Sequence, residues 1–166
     1  MSSEPAPKLA FITGGSRGLG FEVARGLARN GFNCVLIAKD SQRLESAANQ
    51  LRSEFPGLTF ETSACDLEDQ SQTRKTAETL LSKFGVPYSL VLAHGVMSEK
   101  MSKTLRTTDA EWRRVMAINL DSVFTSKCYW CTNVRSPRWS PSSDLLCMLR
   151  SNVRSGKCRW TCAVSN

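Results

Sequence analysis

The sequence predicts an α/β domain on a parallel sheet, incomplete at about four strands and four helices, followed by an irregular tail. Three observations carry this expectation. Short apolar runs alternate with helix-periodic segments from Lys8 to about Ser126, the order that crossovers between parallel strands require. A glycine-rich turn, Gly14-Gly15-Ser16-Arg17-Gly18-Leu19-Gly20, joins the first run to the first helix. Composition then changes abruptly: residues 1–126 hold 15 Lys and Arg against 14 Asp and Glu, and residues 127–166 hold 7 against 1.

Each element has a local reason. Lys8–Thr13 is apolar with aromatic and β-branched residues, as a first strand should be. The helix after the turn places Leu19, Val23 and Leu27 at i, i+4 and i+8, and Asn30-Gly31 stops it. Phe32–Ala38 reads as a second buried strand. Ser41 is expected to cap the second helix, with Leu44, Ala48 and Leu51 inward and Pro56-Gly57 past its end. Leu58–Leu67 holds a third strand. Residues 71–84 follow as a third helix, with Ala77, Leu80, Leu81 and Phe84 inward and Gly85 as the stop. Tyr88–Gly95 is apolar enough for a strand buried on both faces. Residues 107–124 read as one long helix, opened by a capping box of Thr108 and Glu111.

The bulk numbers restrict the function classes. A length of 166 residues suits one domain with a real core, and 41% apolar with 22% charged residues is ordinary for a soluble globular protein. No run approaches a membrane span. The division is a disordered lead-in at 1–7, a domain at 8–126 and a disordered tail at 127–166. The lead-in shows no targeting signal, so a cytoplasmic location and no membrane partner are expected.

The net charge of +7 sits almost wholly in the tail, with five of the seven cysteines and three of the four tryptophans. Those basic residues show no helical face or strand alternation, so nucleic acid is not the expected partner. Cys128-x-x-Cys131 and Cys158-x-x-x-Cys162 are separated by 26 residues without strand signals, and no metal site is expected from them. His94, the one histidine, is read as a packing or ribose-proximal residue.

A glycine turn between strand and helix has a specific chemical use. Glycines let the chain turn sharply and admit a pyrophosphate close to main-chain N–H groups. The helix start adds unpaired donors and a positive dipole end. That context predicts a Rossmann-type doubly wound fold of the dinucleotide-binding kind, the nicotinamide being implied by the family resemblance given below. Charge favours NADP(H) over NAD: Arg17 in the turn and Lys39 after the second strand are cations suited to a 2′-phosphate, while Asp40 keeps NAD as the alternative.

The spacing Thr13-Gly14-x-x-x-Gly18-x-Gly20 resembles the short-chain dehydrogenase/reductase family. The resemblance continues through Asp66-Leu67, through Gly95 where Leu92-Ala93-His94-Gly95 stands at the family's Asn-Asn-Ala-Gly, and through Asn119. Residues 106–120 look most like the branch of 3-oxoacyl-acyl-carrier-protein and carbonyl reductases. The resemblance spans residues 8–126. It implies phosphate and ribose contacts from Thr13, Gly14, Ser16, Arg17, Gly18, Leu19 and Gly20. It also implies contacts from Lys39, Asp66, Leu67 and Gly95, with Asp66 at the adenine. Asn119 would be the catalytic residue that holds a water in a proton relay. The activity implied is NADP(H)-dependent reduction of a small carbonyl, a 3-oxoacyl group or a ketone, to an alcohol. A mitochondrial location is compatible with the resemblance.

One part of that chemistry is missing from the sequence. The family's proton donor is a Tyr with a Lys four residues later, a spacing that puts both on one helix face. The two tyrosines here are Tyr88, followed at +4 by Leu92, and Tyr129, followed at +4 by Asn133. Impaired turnover is therefore expected, and the alternative is a non-catalytic dinucleotide-binding or interaction protein that pairs with an intact relative. The composition break points to translation in a shifted frame. One base back, the codons for Cys147-Met148-Leu149 permit Tyr-Ala, and those for Arg150-Ser151-Asn152 permit a Lys.

Overall fold

The computed structural model describes residues 8–97 and 107–126. Four parallel strands form one sheet: β1 (Leu9–Thr13), β2 (Asn33–Ala38), β3 (Phe60–Ala64) and β4 (Ser89–Leu92), in the spatial order β3-β2-β1-β4. Between them run α1 (Gly18–Arg29), α2 (Ser41–Glu54) and α3 (Gln70–Phe84), and α4 (Asp109–Met116) follows β4. This is the expected α/β alternation and Rossmann-type order. The lead-in, the tail, Tyr129 and the tail cysteines lie outside the described residues.

Strand alternation divides the core into two layers. On one face Ala10, Ile12, Cys34, Leu36 and Phe60 meet Ala24 and Ala28 of α1 and Leu44, Ala47, Ala48 and Leu51 of α2. On the other, Phe11, Val35 and Ile37 meet Ala77 and Leu80 of α3, with Cys65 and Leu67. Phe11, Ile12, Leu36 and Ile37 are all fully buried, each stabilising the fold by about 2 kcal/mol relative to exposure. Burial also pushes the Cys34 thiol up to about 12, so it stays protonated and inert.

Two helix expectations change in detail. The buried face of α1 is Gly20, Ala24 and Ala28, one residue on from Leu19, Val23 and Leu27, and Leu19 is 65% exposed. Small residues face the sheet because this helix starts against backbone: a Cβ on Gly20 would lie 2.3 Å from the Gly14 carbonyl oxygen. The cap of α2 is Asp40, whose carboxylate accepts from the Arg43 N–H, and Ser41 is the first helical residue. Asp and Ser both cap well, and here the side chain one position earlier reaches the free donor. The cap of α3 is Asp69, which accepts from both Ser71 and Gln72.

β4 is shorter than expected and only half buried, with Leu90 and Val91 packed against opposite layers. It is the edge of the sheet among the described residues. Beyond it, Thr108 caps α4 by accepting from the Glu111 N–H. The long helix expected over 107–124 is interrupted by a π-helical turn, Ala117–Asp121, before helix resumes over 122–126. A single inserted turn of this kind re-aims a side chain without ending the helix. Among the described residues, no helix is long and apolar enough to cross a membrane.

Candidate dinucleotide site

The site begins where β1 ends. Gly14 (φ 69°) and Gly18 (φ 58°) occupy the left-handed region, which lets the chain leave the sheet and enter α1 in four residues. The Gly14 N–H donates to the Ile37 carbonyl at 2.8 Å, pinning the turn to β2. A side chain on Gly14 would meet the Ala93 and His94 backbone at 2.7 to 2.8 Å, whereas one on Gly18 meets nothing within 4 Å. Gly14 and Gly20 thus permit close backbone packing, and Gly18 faces open space. A phosphate can approach there.

Helix α1 differs from the other three at its start. Its N-cap is Arg17, with no side-chain cap hydrogen bond and no acid in the first turn. Its first N–H groups and positive dipole end are presented without a competing carboxylate, which is the donor set a pyrophosphate needs. Beside the turn lies a hollow of about 320 Å³ lined by Ser16, Arg17, Gly18, Phe21, Arg43 and the outer face of α2. Two arginines line it.

The second expected cation, Lys39, is turned elsewhere. Its ammonium lies 2.5 Å from the Asp66 carboxylate. Burial works against the charged carboxyl of Asp66, but the Lys39 hydrogen bond, the Glu68 N–H and the Lys39 charge together outweigh it and hold the group below the usual carboxylate range. The acid expected at the adenine and the base expected at the phosphate are thus partners of each other. Asp40, the residue that kept NAD open, is engaged twice by Arg43, through its N–H at 3.0 Å and its guanidinium at 3.2 Å. Arg43 was not among the sequence candidates. Its i+3 spacing from Asp40 was the available signal, but only folding puts it beside Arg17.

Leu67 is 7% exposed, with its side chain packed in the α3-side core. Thr13 is fully buried, and its hydroxyl lies 2.6 Å from His94 Nδ1. Asn119 stands on the π-helical turn with both ends of its amide on Val96. Its Oδ1 accepts from the Val96 N–H and its Nδ2 donates to the Val96 carbonyl, each at 2.8 Å. Gly95 lies beside it, where a Cβ would come within 3.4 Å of Asn119 Oδ1. Thr13, Gly95 and Asn119 therefore meet at the β4 end of the cradle, and Ser16, Arg17 and Gly18 at the α2 end.

A parallel doubly wound sheet with an open glycine turn and an uncapped helix start defines a protein of the Rossmann fold class. A profile of the short chain dehydrogenase family matches residues 8–130. The chain belongs to that family. A tropinone reductase homologue of Arabidopsis thaliana is 33% identical over 115 residues, covering 69% of this chain and 42% of its own. The very-long-chain 3-oxoacyl-CoA reductase of Mycosarcoma maydis is 32% identical over 117 residues, covering 69% and 33%. The solved L-sorbose reductase of Gluconobacter frateurii, complexed with NADPH and L-sorbose, superposes with a TM-score of 0.70 at 26% identity, over 80% of this chain and 49% of that one. The chain thus spans half or less of the length of these relatives.

Proposed function

We propose that this chain binds NADP(H) in the glycine cradle, and that it descends from carbonyl reductases without carrying their turnover. The observation that carries the reading is the start of α1, uncapped by any side chain and flanked by Arg17. Gly18 would admit the pyrophosphate to a turn that Gly14 and Gly20 keep tight, Ser16 and Arg17 would bond it, and Arg43 would join Arg17 at a 2′-phosphate. Asp40 is held by Arg43 and is poorly placed to take a ribose hydroxyl, which favours NADP(H) over NAD(H). When bound, the cofactor supplies a hydride.

The substrate class is a ketone or 3-oxoacyl carbonyl, on the strength of the reductases among the relatives. The step this chain lacks is proton delivery, because no Tyr in the sequence has a Lys at +4. The test is titration of the full chain with NADPH and NADH by nicotinamide fluorescence, followed by ketone-dependent NADPH oxidation. Saturable binding with NADPH the tighter ligand, and no oxidation above background, is expected. Absence of saturable binding removes the cofactor reading, and clear oxidation removes the impairment.

A further inference from the structure

We infer that His94 is a positioning residue for the cradle: its neutral imidazole, carrying the proton on Nε2, fixes the separation between the end of β1 and the turn of α4 that holds Asn119. As a statement about cofactor affinity this rests on the NADP(H) reading above. As a statement about geometry it stands alone.

The hydrogen bonds around the ring define its tautomer. Nδ1 lies 2.6 Å from Thr13 Oγ1 and Nε2 lies 2.6 Å from Ser122 Oγ. The Ser122 hydroxyl donates to the Ile118 carbonyl at 2.5 Å. A hydroxyl has one proton to give, so Ser122 meets the ring as an acceptor and Nε2 must be the donor. Nδ1 is then bare, and the Thr13 hydroxyl donates to it in preference to the Val91 carbonyl, which lies farther off at 3.3 Å. The opposite tautomer would exchange the 2.5 Å bond for the 3.3 Å one. Thr13 and Ser122 are fully buried, so a broken link would leave Thr13 only its longer bond to the Val91 carbonyl and Ser122 no donor to its oxygen.

The groups facing the ring are the Thr13 and Ser122 hydroxyls and the Ile118 carbonyl, none of them charged. Burial drives the imidazole down to about 4, the Ile118 carbonyl opposing weakly, so the ring is neutral near pH 7.

The ends of this strut give it a function. Thr13 immediately precedes the glycine turn, and Ser122 immediately follows the π-helical turn bearing Asn119. Two residues along from His94, Val96 is clamped by Asn119. His94 and Asn119 therefore tie the segment after β4 to the π-helical turn and to Ser122 just past it, on either side of Gly95. At the position of His94 the resembled motif has Ala, which can make neither bond.

The test uses the full chain, whose one histidine gives a single imidazole signal. Nitrogen NMR of labelled histidine should show a neutral Nε2–H tautomer that persists through the range in which a free histidine titrates. Replacing His94→Ala removes both bonds and should weaken NADPH binding by about tenfold or more while deprotecting the Val96 amide from hydrogen exchange. The amide of His94→Gln can still donate to Ser122, so this variant should bind within about threefold of the parent and keep Val96 protected.

An Nδ1–H tautomer, ordinary histidine titration, an Ala variant indistinguishable from the parent, or a Gln variant as impaired as Ala overturns the inference. Should the parent chain fail to bind NADPH, the cofactor reading falls, and the tautomer with Val96 protection decides for or against the strut.

Discussion

Helices α1 and α3 both follow strands of the same sheet, yet their first turns are built in opposite ways. At α3, Asp69 gives its carboxylate to two N–H groups, Ser71 at 2.8 Å and Gln72 at 3.1 Å. At α1 the same position is Arg17, which caps nothing. A side-chain cap satisfies donors that a helix start otherwise leaves open, and most helix starts use one. Helices α2 and α4 do so as well, through Asp40 and Thr108. The difference teaches that stability and binding would compete for the same N–H groups: α3 spends them on the Asp69 side chain, and α1 leaves them uncapped, as the proposed phosphate site requires.

The largest expected effect comes from closing the α1 turn itself. Gly20→Ala places a Cβ 2.3 Å from the Gly14 carbonyl oxygen and 2.7 Å from its carbon, both backbone atoms. Urea denaturation should show a loss of roughly 2–3 kcal/mol, as overpacking against a fixed partner does. NADPH binding should fall with it. An unchanged midpoint would mean that the helix start can slide.

Making α1 resemble α3 is the sharper test. Arg17→Asp supplies the missing cap, so the thermal midpoint should rise slightly while NADPH affinity drops by about tenfold or more, an anion having replaced a cation beside the phosphates. Stability and affinity moving in the same direction would break the comparison.

The converse, Asp69→Ala, should lower the thermal midpoint by a few degrees. Acid should do the same to the unaltered chain. The Gln72 and Ser71 N–H groups hold the Asp69 carboxyl below its usual 3.8, so its contribution is whole above that pH and is lost as the pH falls through the lowered folded value. Hydrogen exchange at low pH should deprotect the Ser71 and Gln72 amides and leave the α1 start unchanged. Smallest of all, Gly26→Ala, in the same helix but with nothing within 4 Å of the new Cβ, should stabilise by up to about 1 kcal/mol through helix propensity. Gly20 and Gly26 then separate what the turn requires from what the helix merely tolerates.

Much of the cradle was legible because its signals are local. A glycine turn, a strand before it and a periodic segment after it are read within about twenty residues, and Gly31 and Gly85 mark stops by the backbone they adopt, φ 78° and 75°. The inward face of α1 was misplaced by one residue for a physical reason. Periodicity ranks residues by hydrophobicity, and it gives no weight to the close approach that puts Gly20, Ala24 and Ala28 against the sheet. The interruption in α4 was illegible for the same cause, since a π-helical turn leaves the apolar spacing nearly intact.

By itself the sequence determined the order of elements, the place of the turn and the absence of a Tyr-x-x-x-Lys pair, all properties of neighbours along the chain. Only the tertiary structure decided that Lys39 faces Asp66, that Arg43 joins Arg17, and that His94 spans from Thr13 to Ser122, residues separated by 81 and 28 positions. Those pairings depend on how strands lie in the sheet and on which side chains burial leaves in need of a partner, and no local pattern encodes either.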